Sequence, residues 1–194
     1  ATTDRPTGKV ALLPGSRKQE IQKKLPVMLS VSRYFPDHTF VVAAAPGLEL
    51  SFYEPFLSAY PNVQMRQGHT YDILLDSDAA LVTSGTATLE TALLGIPEAV
   101  CYKGNAISYQ IAKRLIKIPF ISLVNLILNK LVVREFIQDE MNEANLTQEL
   151  KELLTNQERR SQLLEDFQQL RTMLEAGGSA SENAARIIVR ELAK

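Results

Sequence analysis

Leu12-Leu13-Pro14-Gly15-Ser16-Arg17 ends an apolar run with a glycine, a hydroxyl and a guanidinium in consecutive positions. Glycine lets the backbone turn tightly and approach a ligand closely. Ser16 and Gln19 match a capping box, which predicts a helix start near Arg17. Arg17 and Lys18 then fall in the first helical turn, where each cation opposes the helix dipole at about 0.3–1 kcal/mol. An anion lodged between the helix start and Arg17 removes the conflict. A solvated basic helix end is the plain alternative, and this segment alone does not choose between them.

A second candidate is Ala80-Leu81-Val82-Thr83-Ser84-Gly85-Thr86-Ala87-Thr88-Leu89-Glu90. It reads as a strand, a turn of small residues and a helix. The free N–H groups of that helix start, with the hydroxyls of Ser84 and Thr86, can cradle an anion. Simple N-capping by Ser84 or Thr86 is the competing explanation. Glu90 lies four residues after Thr86 on the same helix face, too far along for a capping box with Ser84. An acid there can accept bonds from a ribose diol, as acids do in dinucleotide sites. A single solvated residue is its alternative.

Two phosphate-type turns and a ribose-type acid suggest a nucleoside diphosphate. The chain lacks GxxxxGK[ST], which argues against a P-loop nucleotidase, and lacks GxGxxG, which argues against a dinucleotide oxidoreductase. His38 and His69 are the only histidines and Cys101 the only cysteine. They offer no metal-ligand spacing and no disulfide within the chain, so no metal or other cofactor is expected. Cys101 sits in an apolar run and reads as inert core, in keeping with a reducing cytosol. The net charge of -1 gives no reason to expect nucleic-acid binding.

The elements that must position these residues alternate. Strands are expected at 9–13, 39–45, 63–66, 79–83, 99–102 and 120–123. Helices are expected at 17–35 (kinked or split at Pro26), 51–60, 70–76, after Ser84 to Leu94, and at 107–116. Such alternation implies parallel strands joined by right-handed crossovers, with both faces covered. The fold class is therefore α/β, a Rossmann-like doubly wound parallel sheet. Residues 1–8 read as a linker, 9–145 as the sheet domain and 146–194 as a C-terminal helical extension, with helical signals beginning near Val132. The extension must bury its apolar stripes against the sheet domain, an absent domain or another protomer. The chain opens Ala1-Thr2-Thr3-Asp4 with no methionine, which suggests a piece of a longer protein.

Between Tyr102 and Gln138, residues 116–133 are very apolar and are flanked by Lys103, Lys113, Arg114, Lys117 and Lys130. Buried core with a solvated basic face is the plain account; a membrane-surface patch is the functional one. Asn125 falls in an expected loop after the last strand, where it could meet a ligand.

Several of these segments, in order and at similar spacing over nearly the whole chain, resemble the lipid A disaccharide synthase family. They are Leu12 to Arg17; Ser84 to Ala87 with Leu89-Glu90; Ala112-Lys113-Arg114-Leu115; Ile121-Ser122-Leu123-Val124-Asn125; and Arg134-Glu135-Phe136-Ile137-Gln138. The resemblance implies the C-terminal half of an inverting GT-B glycosyltransferase that transfers 2,3-diacylglucosamine from UDP to lipid X without a metal. Gly15, Ser16, Arg17, Ser84, Gly85 and Thr86 would hold the diphosphate and Glu90 the ribose, while Asn125 and Gln138 would line the donor pocket. It also implies a catalytic base in an N-terminal domain outside this chain, little turnover by this half alone, and exchanged homodimers through the C-terminal helices. The expected location is the cytoplasmic face of a Gram-negative inner membrane, in peripheral contact with it.

Two positions depart from the family pattern. Val124 stands where proline is usual, which leaves the Asn125 loop less pre-set. Glu98 stands where an apolar residue is usual, and at a strand start it is expected to face solvent. A UDP-N-acetylglucosamine 2-epimerase-like enzyme shares the phosphate turn and glutamate, and a non-catalytic module on the same scaffold is the rival of another class.

Overall fold

A computed structural model describes residues 6–104 and 119–176. The helix expected at 107–116 and the last helix of the extension, after Gly177-Gly178, lie outside the described residues. Six strands, β1 (Lys9–Leu13), β2 (Thr39–Ala44), β3 (Val63–Gln67), β4 (Ala79–Thr83), β5 (Glu98–Tyr102) and β6 (Glu135–Ile137), form one sheet in the order β3-β2-β1-β4-β5-β6. Every pairing is parallel. Successive side chains of a strand point to opposite faces, so one strand feeds two cores. Val10 and Leu12 pack with Ile21, Leu25 and Leu29, whereas Ala11 and Leu13 pack with Ile73, Leu74 and Ile96. β1, β2, β4 and β5 are largely buried and mostly apolar, as strands covered on both sides require, whereas the edge strand β3 exposes Gln64 and Arg66.

The helices are α1 (Lys18–Val31), α2 (Glu54–Leu57), α3 (Thr70–Leu75), α4 (Thr86–Leu93), α5 (Leu123–Leu128), α6 (Glu143–Thr155) and α7 (Gln157–Ala176). Pro26 does not split α1. The carbonyl deprived of its donor belongs to Gln22, which is exposed, so water can replace the bond. The helix expected at 51–60 reduces to a 3-10 turn at Leu50–Phe52 and the single turn of α2. The buried Tyr53 between them accepts a 2.9 Å bond from the Ala45 N–H through its hydroxyl and fixes the end of β2.

The largest departure lies after residue 119. The strand expected at 120–123 is absent; Ser122 instead caps α5, and β6 occupies the stretch expected to open a helical tail. The reason is a lock between segments far apart in sequence. The Glu135 carboxylate accepts the backbone N–H groups of Ile121 and Ser122, both at 2.9 Å, and the Asn125 amide at 2.8 Å. Short apolar runs do not distinguish strand from helix, and here the lock decides.

The two helices that follow β6 pack on the sheet and its covering helices. α6 packs against α1, β4 and β5, and α7 against α4 and α5. The buried Glu149 of α6 faces Arg134 at 3.1 Å and Arg159 at 3.7 Å. Asp166 of α7 holds Lys130 at 2.6 Å. Lys130 is therefore tied to α7, and Val124, Val132 and Val133 are core. Leu131 in the same stretch is exposed, and Lys113, Arg114 and Lys117 lie outside the described residues. Glu98 also departs from expectation, being fully buried at the start of β5 with no hydrogen-bond partner on either carboxylate oxygen.

Candidate active site

β1 is paired on one side with β2 and on the other with β4. The chain leaves β1 toward β2 and leaves β4 toward β5, so the order reverses between them. This is the position where open parallel sheets form a ligand crevice at the carboxyl ends of their strands. Leu13 pairs with Val82, so the two candidate turns begin side by side. Between them lies a cleft of about 280 Å³, lined by Gly15 and Ser16, by Thr83 to Ala87, by Ala43 to Pro46 of the β2 end, and by Leu13 and Thr70. Gly15, Ser16, Ser84, Gly85 and Thr86 thus share one cavity.

Backbone geometry explains both glycines. Gly15 has φ +109, and a β-carbon there would stand 2.9 Å from Glu20 Oε2. Gly85 has φ +150 with open space where a side chain would project. Both values favour glycine, and both turns lead into helices. The capping box expected at Ser16 does not form: Arg17 is the N-cap residue of α1 and no side chain caps that helix. Gly85 is the N-cap of α4, also without a side-chain cap. By contrast, Ser122 caps α5 and Asn142 caps α6. First-turn N–H groups of α1 and α4 are therefore left without side-chain acceptors beside the cleft, where they attract negative charge.

The side chains divide their roles. Arg17 is 82% exposed and meets Glu20 Oε1 at 3.3 Å. The Lys18 ammonium lies 5.7 Å from the Phe52 ring centroid. The dipole conflict read from the sequence is thus partly met within the chain, because Glu20 supplies an acid in the first turn of α1. Ser84 donates its hydroxyl to the Ile121 carbonyl at 3.1 Å, tying the α4 turn to the segment before α5. Thr86 is exposed at the helix start. Glu90 is half-buried on α4, and its carboxylate has no hydrogen-bond or ion-pair partner among the described residues.

Asn125 is in a helix rather than a loop, and it is fully buried. Its Oδ1 accepts the N–H groups of Val132 at 2.8 Å and Val133 at 3.0 Å, and its Nδ2 donates to the Val133 carbonyl and Glu135, both at 2.8 Å. The amide is saturated by the chain, which makes Asn125 a holder of the α5–β6 connection. Val124 occupies the first turn of α5, where a backbone N–H has no intrahelical acceptor, so the helix admits proline or valine there. Gln138 follows β6 with φ +54. Its Oε1 accepts the Gly104 N–H at 3.2 Å, and its Nε2 is buried without a partner among the described residues.

Thr83 was not among the residues the sequence singled out. It lines the cleft, is only 8% exposed, and its Oγ1 has no partner. A hydroxyl ending an otherwise apolar strand, directly before the turn, was the available signal. Lys24 is the second such residue, a lysine 3% exposed on the α1 face that meets Glu20 at 3.5 Å. Burial pulls its ammonium below the usual lysine range, with Glu20 pulling the other way. A larger hollow of about 390 Å³ lies between the end of α4 and α7, lined by Leu75, Leu94, Leu164, Phe167 and Arg171, and contains none of the candidate residues.

Residues 2–190 match the family model described as lipid-A-disaccharide synthetase. The chain belongs to that family. Lipid-A-disaccharide synthase of Syntrophus aciditrophicus is 40% identical over 181 residues, covering 90% of this chain and 47% of that protein. The Geobacter sulfurreducens lipid-A-disaccharide synthase is 33% identical, with 95% of this chain and 49% of that protein covered. The chain thus spans about half the length of these relatives. Among solved structures, the calicheamicin glycosyltransferase CalG4 matches with TM-score 0.57 and 17% identity over 98% of this chain and 43% of that one. A putative UDP-N-acetylglucosamine 2-epimerase from Listeria monocytogenes matches with TM-score 0.53 and 15% identity over 80% of this chain and 39% of that one. These likenesses establish the Rossmann-like fold of the lipid-A-disaccharide synthetase chain, and a transferase and an epimerase share it.

Proposed function

We propose that this chain is the donor-binding half of an inverting glycosyltransferase that moves 2,3-diacylglucosamine from UDP to lipid X, forming the β-1,6-linked lipid A disaccharide. The observation that carries this reading is the convergence of the Gly15-Ser16 and Ser84-Gly85-Thr86 turns on one cleft at the sheet's switch point. Family membership supplies the substrate class.

In this reading the diphosphate lies between the α1 and α4 starts. Backbone N–H groups of both turns and the Arg17 guanidinium take up the charge that grows on UDP as the sugar leaves. The backbone donors are already in place there, whereas Arg17 turns from Glu20 to join them. Glu90 accepts the ribose hydroxyls, and the Gln138 amide faces the donor at the β6 end. Asn125 acts at one remove, by holding α5 against β6. The chemistry at the sugar is a displacement: the acceptor 6-hydroxyl attacks the anomeric carbon, its proton goes to a base, and the UDP oxygen departs with the bonding electrons. The base belongs to the half of the relatives' length that this chain does not span. The chain by itself is expected to bind UDP and to make no disaccharide. Acylated substrates place the whole enzyme at the cytoplasmic face of a Gram-negative inner membrane, as a peripheral protein and a homodimer through its C-terminal helices. Among the described residues no helix is long and apolar enough to cross a membrane.

Titration of the chain with UDP by calorimetry tests the reading. A saturable 1:1 isotherm that weakens in Arg17→Ala supports it. An absence of uridine-nucleotide heat would favour a non-catalytic module, and disaccharide synthesis by the chain alone would overturn the division of labour.

A further inference from the structure

Glu20 sits in the first turn of α1 with its carboxylate against the Gly15 turn. One oxygen faces Arg17 Nη1 at 3.3 Å and the other faces Lys24 Nζ at 3.5 Å. Both separations exceed the roughly 2.7–2.9 Å of a strong charge-assisted bond. One carboxylate is therefore divided between two cations, and the trio keeps a net positive charge beside the cleft. The two cations are not equivalent. Arg17 is 82% exposed and can swing, whereas Lys24 is 3% exposed and held in the helix one turn below Glu20.

Resting on the reading that the cleft takes a nucleoside diphosphate, this geometry has a consequence. Arg17 meets Glu20 through Nη1, so giving its whole guanidinium fork to a ligand phosphate means leaving Glu20. How readily it leaves depends on what else neutralises that carboxylate. We propose that Lys24 is a positioning residue for donor binding: it retains the Glu20 carboxylate beside Gly15 and so releases Arg17 to the diphosphate. Lys24 does not touch the ligand. Without it, Glu20 competes with the ligand for Arg17.

The test is a charge cycle measured as UDP affinity by calorimetry, with thermal melts to establish folding. Lys24→Met weakens UDP binding by about twofold to fivefold, the scale of a partly exposed ion pair. Glu20→Gln strengthens it by about the same factor. The double variant Glu20→Gln/Lys24→Met returns to wild-type affinity or better, because no carboxylate remains to hold Arg17. In an Arg17→Ala background, neither Glu20→Gln nor Lys24→Met changes the affinity further. A merely structural Lys24 predicts the opposite, a double variant as weak as Lys24→Met or weaker. That result overturns the proposal, as does a Glu20→Gln variant that binds no tighter than wild type, which remains decisive if Lys24→Met fails to fold. Failure of the wild-type chain to bind UDP is a different outcome and removes the diphosphate reading itself.

Discussion

Glu98 is a buried acid without a hydrogen-bond partner among the described residues, and replacing it should stabilise the chain in a pH-dependent way. It opens β5 opposite Ala80 of β4, is 0% exposed, and both carboxylate oxygens lack partners. Burial pushes its carboxyl well above the usual glutamate value of 4.5. The native state therefore holds a proton that the unfolded chain releases above that pH. A raised acid contributes stability that is fully present below the unfolded value and is lost as pH climbs toward the folded one. The loss runs at about 1.4 kcal/mol for each pH unit over which only the native state stays protonated. Glu98→Gln removes the ionisation and keeps the shape; Glu98→Val also removes the unpaired polar atoms, whose burial costs about 1–3 kcal/mol. Urea denaturation at intervals from pH 5 to pH 8 should show wild-type stability falling relative to Glu98→Gln as pH rises. Glu98→Val should exceed Glu98→Gln by about 1–3 kcal/mol at pH 7, and wild type by that amount plus the pH-dependent loss. UDP affinity should not change, because Glu98 lies at the amino end of its strand and the cleft at the carboxyl ends. A wild-type-to-Gln difference that stays constant across this range would refute the reasoning, as would a Glu98→Val variant less stable than wild type at pH 7.

Gly15→Ala should destabilise the chain by about 1–3 kcal/mol and abolish tight UDP binding, since the turn has φ +109 and the new methyl would meet Glu20 Oε2 at 2.9 Å; melts and calorimetry read the two effects separately. Glu135→Ala should lower stability by about 2–4 kcal/mol in urea denaturation, because two backbone N–H groups and the Asn125 amide lose their acceptor. Cys101 is buried, and that burial pushes its thiol up to about 12. A thiol reagent at pH 8 should therefore leave it unmodified in the native chain and label it promptly in denaturant.

Much of the sheet was legible because its strands are short apolar runs closed by turn residues. β1 matches the expected span, β4 likewise, and β2, β3 and β5 differ only at their ends. The two cleft turns were legible for the same reason, since each follows a strand and precedes a helix. What was hidden depends on contacts between distant residues. Val132 to Gln138 carries no local mark of strand over helix; β6 forms there because Glu135 locks onto the start of α5. Asn125 looked like a loop residue facing a ligand because the three residues its side chain bonds lie seven to ten positions away. Thr83 and Lys24 escaped notice because a hydroxyl in an apolar strand and a lysine inside a helix gain meaning only when burial is known. Glu98 was misjudged on the same ground, a strand-end acid being exposed by default.

Donor binding as proposed depends on one cleft between two helix starts. The most direct test is the map of backbone amide resonances that move when UDP is added to the chain. The account predicts that the N–H signals of residues 15–18 and 85–87 shift together and saturate at a common concentration. Shifts confined to the hollow between α4 and α7, or movement of one turn without the other, would contradict it.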